Sequence, residues 1–181
     1  MFKWHTFDFE EHSVGGEDDS PNKLKFINLP EDLSNITVLD IGAWDGYFSF
    51  VCEKRGAKVT AFDSPNYSWN REEIEVAGEK VKQDGKANFL EVREKLKSNV
   101  EDVEGELDEL TTKAEFVLGF DLVLDLGILY HCQDPYKHIR DLYRITKKHL
   151  ILETFVDLND VQLPVMRFYP NGEISETNTR D

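Results

Sequence analysis

Val38-Leu39-Asp40-Ile41-Gly42-Ala43-Trp44-Asp45-Gly46 is the stretch whose reading decides the fold. From Thr37 to Ile41 the side chains form a short, nearly continuous apolar run that stops at Gly42. That is the pattern of a strand buried on both faces of a parallel sheet. Gly46 to Arg55 then reads as a helix, with Phe48, Val51 and Cys52 at helical spacing and Gly56 as its stop. A strand, a glycine loop and a helix in direct succession aim backbone N–H groups at whatever sits beside the helix N-terminus.

The alternation continues downstream. Lys58–Phe62 reads as a second strand that ends in Asp63, with Ser64 and Pro65 breaking it. Residues 66–85 are polar and read as a loop with a short helix. Lys86–Ser98 is a helix carrying Phe89, Leu90, Val92 and Leu96 partly on one face, and Asn99–Glu104 is a third strand. Phe120–Leu126 is the fourth strand. Pro135 opens a helix that runs to about Lys147, where a missing N–H costs nothing. His149–Val156 is the fifth strand. Before all this lies an arm, residues 1–30, aromatic at first and then acidic; after it, Pro170-Asn171-Gly172 sits between two short runs that could pair as a hairpin. The expected organisation is an arm or lid (1–30), an α/β core (31–157) and a tail (158–181). Strands alternating with helices imply a parallel sheet with right-handed crossovers, whose ligand lies at the carboxyl ends of the strands. Four loops therefore matter: those after Ile41 and Phe62, the one around Glu106, and the one after Leu126.

Composition narrows the function classes. The chain has 181 residues and a formal net charge of −15, which argues against broad affinity for a phosphate backbone. Lys137, Arg140, Arg144, Lys147 and Lys148 fall along one predicted helix and read as its solvated face. No apolar run reaches membrane-spanning length, and Met1–Thr6 lacks the pattern of a secretory signal. The two cysteines, Cys52 and Cys132, are far apart, so a reducing cytoplasm is the expected home.

The loop chemistry separates two cofactors. A pyrophosphate needs close backbone approach, hence glycine at the middle of G-x-G-x-x-G. Here Trp44 occupies that position and Asp45 adds a negative charge beside it. S-adenosylmethionine (SAM) has no phosphate and carries a sulfonium and an ammonium, so an acid-rimmed cleft attracts it. Asp40, Gly42, Ala43, Trp44 and Gly46 form the expected cofactor loop. Asp63, with Ser64 after it, stands where an acid accepts hydrogen bonds from ribose hydroxyls. Glu106 is placed to meet an adenine amino group while Leu107 packs on the ring.

The runs Val38–Gly42, Phe62-Asp63, Phe120–Leu124 and His149–Thr154 together resemble the class I SAM-dependent methyltransferases. Gly127-Ile128-Leu129-Tyr130-His131, followed by Asp134-Pro135 and later by Leu152-Glu153-Thr154, is similar to a narrower branch. That branch holds the bacterial carboxymethyltransferase of the tRNA wobble uridine and its uncharacterised methyltransferase relatives. Trp4-His5-Thr6 and Leu29–Leu33 resemble the latter. The resemblance implies a Rossmann-like sheet, SAM as cofactor, Gly42 and Gly46 at its methionine end, Asp63 on its ribose, and Leu126 and Tyr130 lining the pocket near the reacting carbon. Class I sheets close with a sixth and seventh strand, and only about 25 residues follow Val156, so those strands are expected to be lacking. The lysine with which the tRNA enzyme recognises a carboxylated cofactor has only Lys23 as a poor counterpart here.

The expected reaction is an in-line displacement in which the protein aligns a nucleophile and excludes water. Tyr130 is expected to touch cofactor or substrate, and His131 is the candidate general base near neutral pH. A structural histidine is the competing reading for His131. His131, Cys132 and Asp134 lie on one turn and are not expected to bind metal. Trp4, His5 and Phe7 either form a lid or anchor the arm on the core. A methyltransferase acting on a small-molecule or sugar-like acceptor is the leading reading. A catalytically inactive SAM-fold module, pairing an open sheet edge with a partner or a second copy, is the first alternative. A tRNA-modifying enzyme is the second.

Overall fold

Why the central run is buried is answered by its neighbours in the computed structural model, which describes residues 4–10, 12–64, 73–76, 79–82 and 85–156. The arm supplies β1 (Phe7–Asp8), β2 (Ser13–Val14) and α1 (Ser20–Leu24). The core follows as β3 (Thr37–Ile41), α2 (Tyr47–Lys54), β4 (Lys58–Asp63), β5 (Glu73–Val76), β6 (Glu79–Lys82), α3 (Gly85–Leu96), β7 (Glu101–Glu104), β8 (Phe120–Leu126), α4 (Pro135–Ile145) and β9 (Thr146–Glu153). Five strands form one parallel sheet in the order β7-β4-β3-β8-β9, with β3 at the centre. Val38 stands level with Val59 on one side and Leu122 on the other. The strand order reverses between β3 and β8, which is the Rossmann-like switch point.

Alternate β3 side chains enter different layers, as the period of two demands. Val38 packs with Phe50, Val51, Val59, Phe89 and Val92 in the layer that includes α2 and α3. Leu39 and Ile41 pack with Phe62, Phe116, Leu142 and Ile145, in the layer that includes α4. The first layer also takes Phe7, Phe9 and Leu29 from the arm. Phe9 stacks on Tyr47 with ring centroids 5.5 Å apart, and the Arg55 guanidinium donates to the Leu29 carbonyl at 2.7 Å. Phe7, Phe9 and Leu29 thus join the arm to the core by packing. At the far end of the sheet, Thr37 Oγ1 donates to Asp121 Oδ2 at 2.8 Å and ties the starts of β3 and β8 together.

The structure departs from the sequence expectations in the polar segment. In place of a loop with a short helix, β5 and β6 pair as an antiparallel hairpin in which Val76 faces Glu79. Glu73-Ile74-Glu75-Val76 alternates with the period of a strand, but its acids disguised that period as loop polarity. The last strand begins at Thr146 rather than His149, because α4 ends at Ile145 and Thr146 Oγ1 caps it by donating to the Leu142 carbonyl at 2.7 Å. The third strand starts at Glu101, after Lys97 turns the chain with φ 51°. β9 is an edge strand among the described residues, with Leu150 and Leu152 partly exposed. The expected hairpin around Pro170–Gly172 lies outside the described residues. No helix among the described residues is long and apolar enough to cross a membrane.

Candidate functional site

The loop after β3 has its shape set by two glycines. Gly42 has φ 69°, and a Cβ there would stand 2.1 Å from Ile128 Cδ1. Gly46 has φ 85°, and its Cβ would stand 2.5 Å from the Phe89 ring. Both positions combine a left-handed backbone with a space that admits no side chain. The loop is fastened to the neighbouring strand: the N–H of Gly42 donates to the Phe62 carbonyl at 2.8 Å, and the N–H of Ala43 to the same oxygen at 3.3 Å. Trp44 is also left-handed, with φ 53°. Its indole lies against Gly85 at the start of α3, where a Cβ would approach the ring to 2.8 Å.

Asp63, Ser64 and Glu106 come together beside this loop, as their positions after β4 and β7 predicted. Asp63 Oδ2 accepts the Trp44 N–H at 2.8 Å and Oδ1 accepts the Ser64 N–H at 2.8 Å. Burial pushes the Asp63 carboxyl up to about 6, against the pull of those two N–H donors. Ser64 Oγ donates to Glu106 Oε1 at 2.9 Å, and the Glu106 N–H donates to Glu109 Oε2 at 3.0 Å in a capping box. The Gly105 N–H donates to the Asp63 carbonyl at 3.1 Å, which ties the ends of β4 and β7 together. Leu107 is half-buried and packs against the core layer of Phe62.

Two loop acids sit differently from expectation. Asp40 is buried behind the loop and accepts the Ser49 hydroxyl of α2 at 2.6 Å. Burial raises its carboxyl to about 6. The expectation that Asp45 adds charge to the cleft is corrected. Its side chain has 0% exposure and accepts the N–H groups of Trp4 and His5, each at 3.1 Å, together with the His5 ring through Nδ1. The physical reason is that a buried carboxylate needs donors, and the arm brings them from 40 residues away. Nothing local in the sequence announces such a pairing. Of the two arm readings, anchoring describes His5 and Phe7, which are buried, while Trp4 is 41% exposed.

On the other side of the switch point, Leu126 is half-buried and the Gly127 N–H donates to the Glu153 carbonyl at 3.0 Å. The rings of Tyr130 and His131 lie tilted against each other with centroids 4.3 Å apart, and both side chains are exposed at the loop surface. Partial burial holds the Tyr130 phenol above its ordinary value, helped by the Glu153 and Asp18 charges, and pushes the His131 imidazole below its own. That shift favours the neutral imidazole. Beneath the loop lies a pair that the sequence reading missed. His138 Nε2 meets Asp125 Oδ2, with both side chains at most 3% exposed. Burial lowers the His138 imidazole, but the Asp125 partner outweighs it and raises it to about 9.

The donor set fits SAM better than a dinucleotide. The residues that converge are carboxylates and a hydroxyl (Asp63, Glu106, Ser64), groups whose chemistry suits hydroxyl and amino donors, and no Lys or Arg lies in the Gly42–Gly46 loop to meet a phosphate. A family model described as "Methyltransferase domain" matches residues 20–171, and the chain belongs to that family. Membership makes SAM the cofactor. The chain is 28% identical over 167 residues to the tRNA U34 carboxymethyltransferase of Pseudomonas paraeruginosa, covering 90% of this chain and 46% of that protein. It is 27% identical over 141 residues to the tRNA U34 carboxymethyltransferase of Histophilus somni, covering 75% of this chain and 38% of that protein. The chain thus spans less than half the length of these curated relatives. The crystal structure of EvdMO1 superposes with a TM-score of 0.51 at 19% identity, over 77% of this chain and 29% of that one, and shares the fold.

Proposed function

We propose that this chain transfers the methyl group of SAM to a small-molecule or sugar-like acceptor. The observation that carries the reading is the convergence of Trp44, Asp63, Ser64 and Glu106 at the carboxyl ends of adjacent strands, beside a glycine loop that admits no side chain. The cofactor supplies an electrophilic methyl carbon on a sulfonium. In this reading Gly42–Gly46 holds the methionine end, Asp63 binds the ribose hydroxyls, and Glu106 takes the adenine amino group. Leu126 and Tyr130 bound the space around the reacting carbon and keep water out. Tyr130 aligns the acceptor. His131, whose imidazole partial burial lowers, accepts the acceptor's proton where one is released. The net charge of −15 favours such an acceptor over a nucleic acid.

Calorimetric titration with SAM and with S-adenosylhomocysteine (SAH) tests the first half of the reading. Micromolar binding is expected, and the absence of heat with both ligands would overturn it. Formation of SAH from SAM in the presence of pooled small-molecule acceptors tests the second half. Turnover seen only with tRNA would replace the acceptor class and leave the cofactor reading standing.

A further inference from the structure

We propose that Trp4-His5-Thr6 is a strap that holds the cofactor loop in its binding shape, with His5 as a positioning residue that acts through Asp45. The inference rests on the reading of Gly42–Gly46 as the loop that meets SAM. Asp45 lies within that loop, immediately before the glycine that opens α2, and its carboxylate is wholly buried. Every hydrogen bond that the described residues give this carboxylate comes from the arm: the N–H groups of Trp4 and His5, and the His5 ring. The imidazole also lies edge-on to Phe48 at 5.6 Å and tilted against Tyr47 at 6.1 Å, so it touches the first turn of α2 as well as the loop before it.

The strap is itself built to hold that position. The Asp18 N–H donates to the Trp4 carbonyl at 2.8 Å, and the Thr6 N–H donates to the Asp18 carbonyl at 2.9 Å. The Gly16 N–H donates to Thr6 Oγ1 at 3.0 Å. Gly16 passes so close that a Cβ would stand 2.4 Å from the His5 carbonyl oxygen, which only glycine allows.

If the strap leaves, a buried carboxylate loses its donors, and a charge in that state is costly. The loop must then open to hydrate Asp45, which displaces Gly42 and Gly46 from the cofactor. A docked strap and a binding-competent loop are therefore one cooperative state. Thermodynamic reciprocity follows: whatever factor strap docking adds to cofactor affinity, the cofactor adds to strap docking.

Two measurements on the full chain test this. SAH titration of His5→Ala is expected to show affinity weaker by about tenfold, within the usual range for coupled sites. His5→Asn should recover part of the loss, because its amide N–H can donate to Asp45. The double variant His5→Ala/Asp45→Asn should be no weaker than the worse single variant. In the wild type, SAH should slow hydrogen exchange at the Trp4 and His5 amides by a comparable factor, beyond any change at core amides such as Val38. A folded His5→Ala that binds SAH within twofold of wild type overturns the proposal. So does exchange at Trp4 and His5 that SAH leaves unchanged, and this measurement decides alone if His5→Ala does not fold. A wild type that binds neither SAM nor SAH removes the loop reading itself, which is a distinct failure.

Discussion

Asp63 Oδ2 holds the Trp44 N–H at 2.8 Å, so the acid that ends β4 fixes the loop that follows β3. This one bond carries a left-handed tryptophan and joins two loops that are 19 residues apart in the chain. Asp63→Ala is expected to weaken SAH affinity at least about tenfold and to cost about 1–3 kcal/mol, since two backbone N–H groups lose their acceptor. Asp63→Asn, which keeps one carbonyl oxygen, should lose less. Titration calorimetry and urea denaturation measure the two effects, and an unchanged SAH affinity in Asp63→Ala would remove the ribose assignment.

Asp40 and Asp63 set a pH dependence with a definite sign. Burial raises both carboxyls from 3.8 to about 6 in the folded protein. Between about pH 4 and 6 the folded state therefore binds more protons than the unfolded chain, and the contribution of these groups to stability falls as pH rises through that window. Asp40→Asn and Asp63→Asn should each flatten the difference between urea midpoints measured at pH 4.5 and pH 7. SAH affinity should decline as pH drops below about 6, as Asp63 loses its charge.

The buried His138–Asp125 pair acts in the opposite direction. Its partner raises the His138 imidazole to about 9, so the pair's stabilisation is complete below about pH 6.5 and is lost as pH rises through about 9. His138→Ala leaves a carboxylate with 0% exposure uncompensated and is expected to cost about 3–5 kcal/mol near pH 7. The penalty should shrink at pH 10, and thermal or urea unfolding of variant and wild type at both pH values checks it.

Gly42→Ala meets two obstacles that a second substitution can separate. The left-handed backbone alone costs a residue with a Cβ about 1–2 kcal/mol. The added carbon would also stand 2.1 Å from Ile128 Cδ1. Ile128→Ala should relieve the clash but not the backbone strain, so the double variant is expected to bind SAH better than Gly42→Ala and worse than wild type.

Much of this protein is legible along the chain. The apolar run ending at Gly42 and the acid ending β4 are local patterns, because strand burial and turn chemistry act over a few residues, whereas the hairpin of β5 and β6 read as a polar loop. Asp63, Ser64 and Glu106 could be placed in advance, since a parallel sheet delivers the carboxyl ends of its strands to one edge.

The ends of elements were harder to read, because caps such as Thr146 decide them by one hydroxyl. The electrostatic assignments were not readable at all. Sequence alone marks Asp45 as an acid in the glycine loop and does not single out His138. Tertiary structure turns the first away from the cleft toward His5 and buries the second against Asp125. The reason is that local periodicity determines which faces are apolar, whereas the partner of a buried charge is chosen by packing between distant segments. The chain by itself determined a parallel α/β sheet with a glycine loop at Gly42–Gly46; only the folded molecule decided that Asp45 of this loop is held by Trp4 and His5 of the arm.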